Sequence, residues 1–343
     1  MNVRQAVVMV GGKGTRLRPL TNNRPKPILP VLDRPCLSYL IESLAKGGIE
    51  EVILACGYRS EKMKEAIGNG SGEGTVIDYS YEDVPMGTAG AIKLLEDRLD
   101  DVFVAVNGDV FADIDLKKEI DEHKRTGASI TISLTRVENP CEFGIARLDG
   151  DGRILEFKEK PKPEEVFSDL INAGVYVMEK EVLKHVPKGQ MYDFSKELTI
   201  DVMNKGYRVQ GHMLNGIWMD VGRPKDLLRA NITAAERWFS DHEWNDVTKG
   251  SKITKPLYIG QGGKATDSKL SQSIISKGSA VRRSEISGSL IMADCDICDA
   301  TISGSIIGEG CIIKRGSIIV DSVVADDVII EENTTVRERT VEQ

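Results

Sequence analysis

From the N-terminus to about residue 240, short β-branched runs alternate with longer stretches whose apolar residues recur at helical spacing. Val3 to Val10, Glu51 to Cys56, Val76 to Tyr81, Val102 to Val106, Ser129 to Thr135 and Val175 to Met178 are rich in Val, Ile and Thr and predict strands. Between the early runs, Leu37, Leu40, Ile41 and Leu44 fall on one helical face, as do Ile92 and Leu95 in the stretch that Gly90 opens. This alternation predicts a parallel sheet covered by helices, a Rossmann-like α/β fold. Ligands of such sheets sit beyond the carboxyl ends of the strands, so the loops at 11–16, 82–88 and 107–109 are site candidates from topology alone.

Beyond residue 240 the helical period gives way to another. Ile253, Ile259, Ala265, Leu270, Ile275, Val281, Ile286, Ile291, Ile297, Ile302, Ile307, Ile313, Ile319, Val324, Ile330 and Val336 follow one another at steps of five or six, with Gly, Ser, Asp and Asn between them. A near-hexapeptide repeat of this kind predicts a left-handed parallel β-helix, each short strand turning one branched side chain inward. Apolar pairs such as Ile274 and Ile275 allow two registers one residue apart. The chain therefore divides into residues 1–240 and residues 241–343.

Composition narrows the class. Hydrophobic residues make up 41% and charged residues 29%, as in an ordinary soluble globular protein, and no apolar run is long enough to span a bilayer. The expectation is a cytoplasmic protein with no membrane partner. Six scattered cysteines do not make a disulfide framework, and Cys295 and Cys298, spaced CxxC, lack further ligands nearby and read as thiols filling repeat positions. A net charge of −8 argues against nucleic-acid binding. Yet the first 32 residues hold Arg4, Lys13, Arg16, Arg18, Arg24 and Lys26 and no acidic residue, which points to a small, highly charged anion.

The densest motif is Gly11-Gly12-Lys13-Gly14-Thr15-Arg16-Leu17-Arg18-Pro19-Leu20-Thr21, directly after the first strand. Glycines let a backbone turn tightly and present its N–H groups to phosphate oxygens. The spacing is neither that of a P-loop nor of a dinucleotide fingerprint, since Leu17 stands where the last glycine of the latter belongs. Asn107-Gly108-Asp109 ends an apolar strand, and Trp218-Met219-Asp220-Val221-Gly222 supplies a second isolated carboxylate. Each Asp, taken alone, is equally a turn-former or a metal ligand.

With Arg24-Pro25-Lys26-Pro27, the loop resembles the signature of the nucleotide-sugar pyrophosphorylases, the sugar-1-phosphate nucleotidyltransferases. The resemblance covers nearly the whole chain and implies a nucleotidyltransferase domain over 1–240 followed by the β-helix. It implies that Gly11, Gly12, Gly14 and Thr15 wrap the phosphates of a nucleoside triphosphate. Arg16 would neutralise the departing pyrophosphate, Lys26 would hold phosphate at the reacting centre, and Asp109 and Asp220 would bind Mg²⁺. On the sugar 1-phosphate side it implies Gly144, Glu159, Lys160 and Asn172; on the base side, the loop EDVPMGTAG with Glu82, Gly87 and Thr88. The GTAG form and the WMDVG-x-P-K-D run look most like the mannose-1-phosphate guanylyltransferases, and a carboxylate such as Glu82 suits the N1–H and amino group of guanine. Enzymes using glucose 1-phosphate with UTP or dTTP, and a non-catalytic regulatory subunit of the same fold, are the alternatives. Acetyl transfer on the β-helix is disfavoured, because His123, His185, His212 and His242 all precede the repeat. The flat faces of a β-helix lead us to expect a homo-oligomer.

Overall fold

The computed structural model describes residues 2–12, 14–57, 60–70, 74–82 and 84–342. They form two compact units. The first is Met1–Gly12 with Leu37–Trp218, and the second is Lys13–Cys36 with Met219–Gln343. Segment 13–36 thus groups with the C-terminal residues, and the chain passes between units inside the Gly-rich loop.

The first unit is built on a nine-stranded sheet. Its strands are β1 (Gln5–Met9), β2 (Glu51–Cys56), β3 (Val76–Tyr81), β4 (Val102–Asn107), β5 (Ile130–Arg136), β6 (Gly144–Leu148), β7 (Ile154–Glu159), β8 (Leu170–Glu179) and β9 (Val209–Met213). The path runs β7-β6-β8-β4-β1-β2-β3, with β5 paired to β8 and β9 to β5. β1 is buried along its whole length, which is why it reads as an unbroken apolar run. Helices α1 (Cys36–Lys46), α2 (Ser60–Ile67), α3 (Gly87–Lys93), α4 (Leu116–Thr126) and α5 (Thr199–Asn204) connect the strands.

The expected all-parallel sheet is corrected to a mixed one. β3, β2, β1 and β4 run parallel, whereas β8 lies antiparallel to β4, β5 and β6, and β7 antiparallel to β6. Strand composition does not carry direction, and Asn172 and Gly174 interrupt the apolar pattern of β8. Its legible part, Val175 to Met178, is less than half of a strand that runs from Leu170 to Glu179.

In the second unit, α6 (Pro224–Phe239) opens with proline at its first position, where no intrahelical donor is lost. After it the chain winds as a left-handed parallel β-helix. Val281, Ile297, Ile313 and Ile330 stack in parallel register, as do Ile286, Ile302, Ile319 and Val336. Every repeat position named above is buried except Ile253, which packs partly against the same core. The structure also selects the register: Ile312 and Ile329 are 41% and 52% exposed, while their neighbours Ile313 and Ile330 face inward. Serine ladders tie the corners: Ser268 Oγ accepts from Ser284 N at 3.1 Å, and Ser284 Oγ from Ala300 N at 3.0 Å. Asp294, Asp299, Asp321, Asp327 and Asn333 take left-handed backbone conformations, which Asp and Asn tolerate.

Candidate active site

In the first unit, the candidate residues gather at the carboxyl ends of the parallel strands. Met9 of β1 pairs with Asn107 of β4, and Gly108 N donates to Met9 O at 2.9 Å. A side chain on Gly108 would meet Val8 and Val10 at 2.7 and 2.5 Å, so only glycine lets the chain turn there and deliver half-buried Asp109. Gly11 lies beside Glu82, whose Oε1 would be 3.2 Å from a Cβ on that glycine, while Oε2 accepts from Met86 N at 3.2 Å. Among the described residues nothing lies within 4 Å of where a Cβ on Gly12 would sit. Lys13 lies outside the described residues.

β8 enters the same edge from the opposite direction. Gly174, at φ +71, leaves room for the Asn107 amide, which would be 2.4 Å from a Cβ there. Asn172 Nδ2 donates to Tyr176 Oη at 2.8 Å and Ser195 Oγ at 3.0 Å, and Oδ1 accepts from Gly174 N at 2.8 Å. Both amide hydrogens are thereby engaged, and what the side chain retains for a ligand is acceptor capacity on Oδ1. Trp218 Nε1 donates to Ala173 O at 2.7 Å, and its ring meets Phe143 edge-on at 6.1 Å.

Gly144 and Glu159 face each other across β6 and β7. A Cβ on Gly144 would lie 2.7 Å from Glu159 Oε2 and 2.6 Å from Phe157 Cζ, so glycine makes the space that the carboxylate occupies. Burial, and then the charge of Asp193, raise the Glu159 pKa. Lys160 follows at φ +47 and is exposed, its N–H donating to Phe143 O at 2.9 Å.

Gly87 and Thr88 have an evident packing role. A Cβ on Gly87 would lie 2.6 Å from Tyr192 O, and the N–H groups of Ala89 and Gly90 both donate to that carbonyl at 3.0 Å. Thr88 Oγ1 accepts from Phe194 N at 2.7 Å and lies 3.3 Å from Asp193 Oδ2. Asp193 in turn caps the following turn through the N–H groups of Ser195 and Lys196, both at 3.0 Å. Tyr192, Asp193 and Phe194 were not legible as neighbours of this loop, since about a hundred residues separate them from it.

The second unit holds the cationic part. Gly14 adopts the left-handed conformation (φ 59), with Lys26 Cβ and Thr21 Cγ2 at 3.0 and 3.2 Å from where its own Cβ would be. Thr21 Oγ1 closes the turn by donating to Gly14 O at 2.9 Å. Thr15, Arg16 and Leu17 form one 3₁₀ turn, pinned by fully buried Leu17. Lys26 is only 7% exposed, and its Nζ lies 3.5 Å from Asp220 Oδ1. A Cβ on Gly222 would sit 2.8 Å from Asp220 Oδ2 and 3.2 Å from an Arg16 guanidinium nitrogen. Asp220 therefore meets Arg16 beside a residue with no side chain, and its other oxygen pairs with Lys26.

Asp109 in the first unit and Asp220 in the second are each a single hard oxygen donor of the type that Mg²⁺ takes alongside phosphate oxygens and water. Among the described residues no group of three or more His, Cys, Asp or Glu gathers as a metal cage. Cys295 and Cys298 take the repeat positions expected of them: Cys295 is buried and its Sγ donates to Gly308 O at 3.0 Å, while Cys298 Sγ lies 3.0 Å from an Arg283 nitrogen. No helix among the described residues is long and apolar enough to cross a membrane.

Residues 5–237 match the nucleotidyl transferase family. The chain belongs to that family. Residues 277–343 match the GlmU-like C-terminal hexapeptide family. Among its relatives, a mannose-1-phosphate guanylyltransferase of Mycobacterium tuberculosis is 38% identical over 228 residues, covering 66% of this chain and 63% of the relative. A UTP–glucose-1-phosphate uridylyltransferase of Synechocystis is 32% identical over 240 residues, covering 66% and 62%. The chain thus spans less than two thirds of the length of these relatives. Among solved structures, HddC of Yersinia pseudotuberculosis, complexed with GMP-PN, aligns with a TM-score of 0.57 at 25% identity over 68% of this chain and all of that one. A protein of Bacillus anthracis assigned as a glucose-1-phosphate thymidylyltransferase, in complex with sucrose, aligns with a TM-score of 0.62 at 25% identity over 68% and 95%.

Proposed function

We propose that the protein transfers a nucleotidyl group from a nucleoside triphosphate to a sugar 1-phosphate, with GTP and mannose 1-phosphate as the preferred pair. The observation that carries the transferase reading is Asp220, one oxygen of which lies with Arg16 beside Gly222 while the other pairs with Lys26 at 3.5 Å. An oxygen of the sugar phosphate attacks the α-phosphorus in line, the bond from that phosphorus to the bridging oxygen breaks, and pyrophosphate leaves. Gly11, Gly12, Gly14 and Thr15 wrap the triphosphate, Arg16 neutralises the leaving group, and Lys26 holds the reacting phosphate. Such transfers depend on positioning and charge neutralisation rather than on a protein nucleophile. Mg²⁺ bound by Asp109 and Asp220 would add charge neutralisation at the phosphates. No general base is required, because a phosphate monoester, with a second pKa near ~6, is already largely ionised at neutral pH.

Glu159 and the acceptor on Asn172 serve sugar hydroxyls, Lys160 the sugar phosphate, and the backbone at Gly144 the sugar ring. For the base, Gly87 and Thr88 shape the loop and Glu82 accepts from guanine, a reading supported by the guanylyltransferase names among the relatives. The protein works in the cytoplasm as a homo-oligomer. The test is pyrophosphate release from GTP, UTP, dTTP, ATP and CTP, each against mannose, glucose and N-acetylglucosamine 1-phosphates, with and without Mg²⁺. A metal-dependent maximum at GTP with mannose 1-phosphate is expected. A maximum at UTP or dTTP with glucose 1-phosphate would overturn the specificity, and silence from folded protein would overturn the transferase reading.

A further inference from the structure

The segment that carries Lys26 is anchored at three places, all on α6 or the β-helix. Before Lys26, one Arg24 guanidinium nitrogen lies 2.7 Å from Glu309 Oε2 and 2.6 Å from Asp326 Oδ2. The acceptors are themselves fixed, since Asp326 Oδ1 accepts from Glu309 N at 3.0 Å. After Lys26, buried Asn231 of α6 donates to Pro30 O at 3.1 Å and accepts from Leu32 N at 3.0 Å. Asp33 then accepts from Lys277 N at 3.0 and 3.1 Å and from Tyr258 Oη at 3.2 Å. A Cβ on Gly260 would lie 1.8 Å from Asp33 Oδ2, so the β-helix has a place for this carboxylate.

Leu32 and Asp33 both adopt positive φ, 48° and 65°, between the paired residues Pro30–Val31 and Arg34–Pro35. A two-residue turn of that kind favours Asn or Gly, and a leucine held in it indicates outside contacts that fix the conformation. Pro25 and Pro27 flank Lys26 and restrict their own φ angles. A displacement at Arg24 therefore passes to Lys26 through few soft torsions.

We propose that the β-helix is part of the catalytic apparatus: Glu309 and Asp326 clamp Arg24 and so position Lys26. This rests on the reading of Lys26 as the residue that holds the reacting phosphate. The clamp is more than an ordinary surface ion pair, because Arg24 and Asp326 side chains are only 18% and 10% exposed.

The experiment compares Asp326→Asn, Glu309→Gln, Arg24→Ala and the Arg24→Ala/Asp326→Asn double variant with wild type in the full chain. Hydrogen exchange of the amides from residue 20 to residue 29 is measured together with kcat, KM and melting temperature. Faster exchange across that segment is expected, with kcat about tenfold lower, because small misplacements of a reacting group are costly. The double variant is expected to be no worse than Arg24→Ala, since both changes break one link. Lys314→Ala, which removes the 2.8 Å pair to Glu331 elsewhere on the β-helix, is expected to leave kcat and this exchange unchanged. Wild-type exchange across 20–29 in folded Asp326→Asn and Glu309→Gln proteins would overturn the clamp, as would additive losses in kcat. Should Asp326→Asn fail to fold, the half-exposed Glu309 decides through Glu309→Gln. A wild type inert on every substrate pair would sink the transferase reading instead, while the exchange comparison still decides the clamp.

Discussion

Lys26 Nζ lies 3.5 Å from Asp220 Oδ1 across 194 residues of sequence, and Lys26 is almost wholly buried. A buried ammonium held beside one carboxylate keeps a fixed cation where an incoming phosphate can share it. Lys26→Ala removes that cation and leaves Asp220 without it. We expect kcat for pyrophosphate release to fall about 100-fold or more, the scale seen when one preorganised charge-stabilising donor is deleted. The melting temperature should move far less than activity. Near-full turnover by folded Lys26→Ala protein would remove Lys26 from the reaction.

The proposed sugar-binding role of Glu159 sets it against stability. Its folded pKa is raised by burial and then by Asp193, so ionising its carboxyl costs the fold stability. The sign follows from linkage. With the folded pKa above the unfolded one, the folded state binds more protons between the two values and loses stability as pH rises through them. Glu159→Gln is therefore expected to raise the melting temperature at pH 7.5 and to differ little from wild type at pH 4. In the same protein KM for the sugar phosphate should rise, and a KM unchanged across the candidate sugars would take Glu159 out of sugar recognition.

What the sequence made legible was whatever depends on local pattern. The steps between Ile297, Ile302, Ile307 and Ile313 translate into buried positions because each coil repeats one environment, and β1, β2 and β4 read as apolar runs because they are buried over most of their length. Strand direction was not legible: β8 opposes β4, yet a strand composition is the same either way. At the site, glycines announced close approaches without naming the partner. Gly144 is explained by Glu159, Gly174 by Asn107 and Gly87 by Tyr192, and each partner comes from another part of the chain. The grouping of segment 13–36 with the C-terminal residues was likewise out of reach, since Arg24 meets acceptors about three hundred residues away.

The β-helix register makes a sharp contrast between equal side chains. Ile302 is fully buried in a continuous stack, whereas Ile312 is 41% exposed on a strand two residues long. Ile302→Ala is expected to cost about 2–5 kcal/mol, and Ile312→Ala about 0.5 kcal/mol or less. Urea denaturation followed by far-ultraviolet circular dichroism measures both. A larger cost at Ile312 than at Ile302 would mean that the inward and outward faces are exchanged.

A last prediction concerns acid. His123 of α4 is buried; its Nδ1 lies 2.9 Å from Thr131 Oγ1, while Nε2 makes no hydrogen bond among the described residues and has Glu179 Oε1 at 3.8 Å. Burial pushes its pKa down to about 4 from 6.5. Between those values the unfolded chain binds the extra proton and the folded one does not, so stability falls as pH drops from 6.5 towards 4. The loss attributable to His123 at pH 5 is about 2 kcal/mol relative to pH 7. His212 acts in the opposite sense. Its pKa is raised, first by the hydrogen bond to Glu119, and its contribution is fully present below 6.5 and lost as pH rises through the higher folded value. The comparison must therefore isolate His123. Replacing it with glutamine keeps a polar group near Thr131 but removes the titration, so the stability difference between pH 7 and pH 5 should shrink by about 2 kcal/mol in His123→Gln, whatever its absolute stability. An undiminished acid sensitivity in that variant would place the titrating group elsewhere, with Glu179 the first to test by Glu179→Gln.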